Sequence, residues 1–499
     1  MIRLLLLLML VLAPLASQAQ TLRIALREDP DQLDPTLARS YVGRIVFAGL
    51  CDKLFDLNEK LEIVPQLALS HEWTDPVTLI LRLRPNVTFH NGEPVDAAAV
   101  KFTLERHLTL AGSFRRGEIA SMDHAEVIDP TTIKIVLKSP SAPFLTQLTD
   151  RAGMVLPPKA TEAAGKDFSR APVCSGPFKF SERVAQDRIV LDRYPGYWDA
   201  GKIHFDKVIY QPMPESAVLL ANLRSGAIDI AERVLPTDVA QVKADPKLRI
   251  VTAPALRYDG ITFNLGNGDK SKSPIGQNKL LRQAFDAALD RQALVDVVFG
   301  GMYTPTAQAI PAASPYYIAA LPAPPRDLAK AKALIKESGV KTPIPVQMNV
   351  PNTAENAQVA EVIQSMVKEA GFALKIDLIE FAASLQAATR GEFESYLIGW
   401  SGRADPDGNL YQFLVTGIGQ NDGHYSNKTV DDALNAARQS LDPSTRRGLY
   451  ETALRQVNED HPLLYLWAPV NIVGMSAKLS GYRHVPDGMI RLQGLAKSQ

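Results

Sequence analysis

The chain has 499 residues, 46% hydrophobic and 22% charged, with 54 Lys+Arg against 54 Asp+Glu. This is the composition of a folded protein rather than a disordered or fibrous one. The balanced charge, with no run of Lys or Arg longer than Arg115-Arg116, excludes the basic face expected of a nucleic-acid binder. A chain this long exceeds what one hydrophobic core usually serves, so two or three domains are expected.

Met1-Ile2-Arg3 carries one positive charge, residues 4–15 form an almost unbroken apolar run, and Ser17-Gln18-Ala19 supplies small residues where a signal peptidase reads. This is the pattern of a cleaved secretory signal peptide over 1–19. The run breaks at Pro14 and is shorter than the ~18–25 apolar residues of a membrane anchor. Cleavage after Ala19 leaves a chain starting at Gln20 without a cysteine to carry a lipid, so the mature protein is expected to be free in the periplasm or its equivalent. Cys51 and Cys174 are the only cysteines, and neither has metal-ligand spacing. In an oxidising compartment they form either one disulfide or two buried thiols.

Leu22, Ile24 and Leu26 alternate with Arg23 and Arg27, which predicts a strand followed by a loop over 28–35. Ile45, Val46, Leu50 and Leu54 predict a helix over 41–55. The stretch 73–83 reads as extended, Pro94 to Ala97 opens a helix running to His107, and 132–137 is a further strand. In the second half, helices are expected over 280–289, with a stop at Gly300-Gly301, and over 328–335, capped by Gly339. Then 344–350 is a strand, 359–367 a helix stopped at Gly371, and Leu374, Ile376 and Leu378 alternate with Lys375 and Asp377. That strand–helix–strand unit is expected to be parallel. A short helix around Leu385 precedes a final strand over 396–400. Ligands of open α/β sheets bind outside the carboxyl ends of strands, which points to the loops 28–41 and 400–409.

Enzyme chemistry finds little support. The Gly-x-Ser-x-Gly elbow and His-Glu-x-x-His are absent, and the eight histidines are scattered singly. Carboxylate pairs such as Glu28-Asp29 and Glu459-Asp460 read as surface neighbours. No Gly-x-x-x-x-Gly-Lys-[Ser/Thr] loop is present to bind nucleotide. No metal, cofactor or catalytic residue is expected in this chain.

Residues 79–102 read LILRLRPNVTFHNGEPVDAAAVKF, similar to the signature F.LR..V.FHDG.P..A.DV.F of the bacterial extracytoplasmic solute-binding proteins of family 5, the peptide, nickel and glutathione-type receptors of ABC importers. Ser175-Gly176-Pro177-Phe178, Tyr197-Trp198, the 223–230 segment (similar to L.SGEIDI), and Gly399-Trp400 followed by Asp405-Pro406-Asp407 extend the resemblance over essentially the whole mature chain. Within the signature, Phe89 and Phe102 read as core residues, His90-Asn91-Gly92 as a turn, and Asp96 as a helix cap.

The resemblance implies an α/β, two-lobed periplasmic-binding-protein type II fold with an extra subdomain in lobe I. Lobe I would take 20–255 plus 475–499, with the subdomain at about 62–168, and lobe II would take 256–474. It also implies a monomeric receptor that closes on a peptide or other small polar, amino-acid-derived solute and delivers it to an ABC permease powered by a separate ATPase. A secreted hydrolase and a periplasmic sensor or chaperone are the competing readings. Family receptors for peptides hold the ligand's ammonium with an Asp three residues after the Trp corresponding to Trp400. Here that position is Arg403, which reverses the sign of the contact and suits a carboxylate. The candidate ligand residues are therefore Trp400, Ser401, Gly402, Arg403 and Asp405, with Tyr41 and Arg44 from lobe I and His424 beyond a Gly-rich loop.

Overall fold

The computed structural model describes residues 20–498, so the signal-peptide reading of 1–19 lies outside the described residues. Thr21–Leu26 is the strand that its alternation predicts: Leu22, Ile24 and Leu26 are buried and Arg23 is exposed. It pairs in parallel with Lys207–Pro212 and Ile230–Ala231 at the centre of a seven-stranded sheet. That sheet runs in the order Leu248–Pro254, Val470–Ser476, Ile230–Ala231, Thr21–Leu26, Lys207–Pro212, Arg188–Arg193, Phe178–Val184.

A second, six-stranded sheet has the order Thr304–Pro305, Leu463–Ala468, Tyr258–Phe263, Ser395–Trp400, Ile344–Pro351, Phe372–Ile379. Ile344–Pro351 and Phe372–Ile379 pair in parallel from Ile344↔Phe372, joined by the helix Ala354–Lys368. The helix buries Val359, Ala360, Ile363 and Val367, one apolar stripe at helical spacing, and the Thr353 side chain caps it by accepting from the Asn356 N–H. Each large sheet thus covers its apolar faces with helices, the type II periplasmic-binding architecture.

A four-stranded antiparallel sheet, Ala68–Asp75, Thr78–Leu83, Thr132–Leu137 and Met122–Asp129, packs with the helix Ala97–Thr109 around a separate core that includes Phe89. Asp96 caps that helix through the Ala99 N–H at 2.9 Å. Phe102 is only half-buried.

Three boundaries differ from the sequence reading. The extended stretch at 73–83 is a hairpin turning at Pro76-Val77, a proline-containing turn hidden inside an apolar run. The first helix is Tyr41–Leu50, because Cys51 turns extended at its C-terminus. The chain returns to the seven-stranded sheet at Pro469, ahead of the expected 475, since Val470–Ser476 pairs along Leu248–Pro254. The apolar pattern continues from Leu463–Ala468 into Val470–Ser476 with no break in composition to mark the crossing.

Cys51 and Cys174 are joined as a disulfide across 123 residues, a loop that carries the four-stranded subdomain. His90 locks the same junction. Its Nδ1 accepts from the Cys174 N–H (3.3 Å) and its Nε2 faces the Gly176 carbonyl (3.0 Å), while burial pushes its pKa down to about 4. It is a neutral structural imidazole. A loop of that length makes the crosslink valuable chiefly by restricting the unfolded chain. Replacing both cysteines by alanine is expected to lower the unfolding free energy by about 2–5 kcal/mol in urea titration.

A candidate ligand cavity at the hinge

Two chain crossings join the large sheets, residues 255–257 and Pro469. They lie side by side because Pro254 pairs with Val470 below them and Asp259 with Trp467 above. Beside them opens a cavity of about 120 Å³. Arg27, Glu28, Arg39, Ser40 and Tyr41 line it from the seven-stranded half; Tyr258, Asp259, Phe381, Tyr396, Trp400, Ser401, Phe413 and Asp422 line it from the other; Arg257 enters from the crossing itself. The strands Thr21–Leu26 and Ser395–Trp400 both end at this cavity, as the crevice rule for α/β sheets requires.

The walls carry both signs of charge. Arg27 Nε lies 3.0 Å from Glu28 Oε2, and Arg257 donates through Nε and Nη2 to the Asp259 carboxylate at 2.8 and 2.5 Å. Glycine at 399 makes room for that pair: a Cβ there would stand 2.2 Å from Asp259 Oδ1. Arg39 spans the two halves, donating from Nη2 to Asp422 at 2.6 Å and from Nη1 to Thr389 Oγ1 at 2.7 Å. Behind the cavity, Glu232 accepts from the Arg27 backbone N–H at 3.2 Å, and Arg233 pairs with Glu355 of the other half. Burial drives the carboxyls of Glu28, Glu232 and Glu355 up against the pull of Arg27, Glu232 to about 7. The buried N–H donors Arg39 Nε and Trp467 Nε1, on two lining residues, have no hydrogen-bond partner among the described residues. The arrangement therefore offers guanidinium donors, carboxylate acceptors and aromatic faces to one guest.

The residues expected from the sequence divide. Trp400, Ser401 and Tyr41 line the cavity. Trp400 is held by its Nε1, which donates to the Gly408 carbonyl (3.0 Å) and Asn409 Oδ1 (3.2 Å), and its ring meets Phe413 edge-on at 4.8 Å. Asn409 sits inside the helix Asp407–Leu414 rather than capping it, and its Oδ1 also accepts from the Arg403 N–H, which pins the whole loop. Gly402 has φ +80° and packs against the hinge: a Cβ there would be 2.1 Å from the Leu256 carbonyl oxygen. The loop 400–409 is thereby coupled to the first crossing. Tyr41 donates its hydroxyl to the Gly488 carbonyl at 3.0 Å.

Arg403 turns away from the cavity. Its Nε lies 3.4 Å from Asp150 of the other half, and its guanidinium covers the Trp400 ring at 4.4 Å from the centroid. Neither Asp405 nor Asp407 is its partner: Asp405 accepts from Arg446 at 2.7 Å and Asp407 from Arg438. Arg44 likewise pairs with Asp150 and donates to Ser401 Oγ at 3.1 Å. His424 is exposed and outside the cavity lining. Sequence reasoning missed Arg257 and Asp259 altogether. Arg257 ends the crossing and Asp259 lies in the strand Tyr258–Phe263 that follows, and in the sequence the pair is indistinguishable from any solvated Arg-x-Asp. Glu28-Asp29, expected as surface neighbours, are not: Asp29 is buried and the half-buried Glu28 faces the cavity, drawn in by Arg27. Arg39 lay in the flagged loop 28–41 but was not singled out. Among the described residues no group of three or more His, Cys, Asp or Glu side chains converges to hold a metal, and no helix is long and apolar enough to cross a membrane.

Two α/β halves are thus joined by paired crossings beside a charged cavity with aromatic walls. The sequence profile of the bacterial extracellular solute-binding proteins, family 5 Middle, matches residues 62–421. The chain belongs to that family. It is 28% identical over 477 residues to the glutathione-binding protein GsiB of Pectobacterium atrosepticum, covering 92% of this chain and 91% of that protein. It superimposes with a TM-score of 0.88 and 25% identity on the binding protein AgaA from A. tumefaciens R10 in complex with agropinic acid, covering 96% and 99% of the two chains. The ABC transporter-associated periplasmic binding protein DppA from Helicobacter pylori, in complex with the peptide STSA, gives the same TM-score and identity over 96% and 98%.

The raised Glu232 has a consequence for stability. Between the ordinary glutamate value near 4.5 and about 7, the folded chain binds a proton that the unfolded chain has released, so stability falls as pH rises through that window. Asp52, raised to about 7 by burial, acts in the same direction. Glu232→Gln is expected to remove a part of this fall on the order of 2–3 kcal/mol, read from urea midpoints at pH 5 and pH 7.5. An unaltered slope in the variant would contradict the assignment.

Proposed function

We propose that this chain is the substrate-binding subunit of an ABC importer, exported through a cleaved leader and acting in the periplasm by binding rather than catalysis. Its guest is a small zwitterionic solute derived from amino acids, a short peptide or a conjugate bearing free carboxylate and amine groups. The observation that carries this reading is the mixed charge of one cavity, with Arg27, Arg257 and Arg39 beside Glu28, Asp259 and Asp422, contributed by both halves and the crossing between them. A zwitterion satisfies both signs at once, and charge-assisted bonds offset the desolvation of its ends. The relative named for glutathione and the one in complex with a peptide fit the same chemical class.

In this reading the seven-stranded half with its subdomain and C-terminal segment is lobe I, and the six-stranded half is lobe II. The lobes rotate about 255–257 and Pro469, the guest touches both only when they meet, and its differential affinity moves the population toward the closed form. The loaded monomer then docks on a permease whose energy comes from a partner ATPase.

Native mass spectrometry of protein purified from its own host identifies the guest that travels with it, and calorimetry against that compound measures the affinity. Arg257→Ala and Arg27→Ala are each expected to weaken binding by about 1.5–3 kcal/mol, roughly 10- to 150-fold, for loss of a hydrogen bond to a charged group. Unchanged affinity in both variants would remove the proposed carboxylate contact. Steady release of a cleaved product during the titration would favour a hydrolase instead.

A further inference from the structure

Behind Ser401 of the ligand cavity, four guanidiniums and two carboxylates are buried together where the halves meet. Arg44, Arg115, Glu118, Asp150 and Arg151 belong to the seven-stranded half and its subdomain; Arg403 reaches them from the six-stranded half. Arg115 and Arg151 are completely buried, and none of the six exceeds 6% exposure. The partners are incomplete. Arg115 pairs with Glu118, Arg44 with Asp150, and Arg403 Nε stands 3.4 Å from Asp150. Arg151 Nε is 3.6 Å from Asp150 Oδ1. Arg115 and Arg151 both donate to the Ala38 carbonyl, at 3.3 and 2.8 Å, so their heads are neighbours.

Four positive charges against two negative ones leave a formal excess of two inside the protein. Five nitrogens have no hydrogen-bond partner among the described residues: Nε of Arg115, Nε and Nη2 of Arg151, and Nε and Nη2 of Arg403. The only unpaired side-chain acceptor of these six residues is Glu118 Oε2, so donors are in large excess. Gln412 and Gln420 complete the surroundings, Gln412 donating to Glu118 at 3.0 Å and Gln420 to Gln412. Buried N–H groups without acceptors are costly, and like charges in a low-dielectric interior repel. Water accepts few bonds and carries no charge, so it meets the first demand in part and the second not at all. Burial and the neighbouring guanidiniums push Arg403 down to about 10, still protonated at neutral pH. None of Arg115, Arg151 and Arg403 lines the ligand cavity; Arg403 instead lines a smaller pocket with Arg44 and Asp150.

We propose that a chloride-sized monovalent inorganic anion binds among Arg115, Arg151 and Arg403. It accepts the open N–H groups and cancels one of the two excess charges. Because Arg403 comes from the opposite half, the anion is a bridge, and its occupancy favours the arrangement in which the halves meet. This site is distinct from the ligand cavity and stands whatever solute that cavity takes.

Crystals of the mature protein grown in sodium bromide test the site directly. An anomalous peak within hydrogen-bonding distance of Arg151 and Arg403 is expected; its absence overturns the proposal. In solution, the unfolding midpoint should rise with sodium chloride and saturate, against sodium gluconate at matched ionic strength, and Arg403→Gln should abolish the difference. A chloride response that survives in a folded Arg403→Gln protein overturns the bridge. Should that variant fail to fold, the bromide map of the wild type decides the matter alone.

Discussion

A charge withdrawn from water is tolerable only while its counter-charge stays within reach, and in this protein several of the counter-charges lie on the opposite half. Arg39 reaches Asp422, Arg233 reaches Glu355, and Arg403 reaches Asp150. Gln147 donates to Asp407 at 3.2 Å, and Arg438 to the Gly117 carbonyl at 2.9 Å, across the same seam. A seam of this kind differs from a hydrophobic core. Separated, each group recovers its hydration; joined, it exchanges water for an oriented partner, and the net difference is small because desolvation nearly offsets attraction. Two arrangements of similar free energy are what a modest guest can bias.

The apolar interior is not confined to each half: one core joins Phe263 and Phe285 of the six-stranded half to Ala25, Leu223, Ala231, Val234 and Ile472 of the seven-stranded half. Val346 and Ile363 extend that shared core into the six-stranded half, Leu22, Phe47, Phe178 and Leu191 form a second core on the seven-stranded sheet, and the subdomain has its own. Gly402 against Leu256 and Arg257 beside Asp259 place the loop 400–409 and one cavity cation on the first crossing itself. The cavity and the first crossing thus share one piece of chain.

Much of the architecture was legible in the sequence because it depends on local periodicity. The alternation around Leu22 and the strand–helix–strand unit from Ile344 to Ile379 carry their folds in spacings of two and of three to four residues. The site was legible only as segments. Trp400 and Tyr41 were found because strand ends face crevices, a rule about topology. Arg403 was expected to face an anion in the cleft, but its partner is Asp150, a pairing between distant segments that no local pattern encodes. Arg257 and Asp259 escaped for the complementary reason. An Arg-x-Asp pair at the start of a strand reads as solvated unless the other half is known to close over it.

The account rests on a guest that brings the two halves together. Small-angle X-ray scattering of the mature protein, with and without the tightest ligand that calorimetry identifies, measures that motion most directly. A smaller radius of gyration at saturation is the predicted result. Superimposable curves from the empty and saturated protein would contradict it.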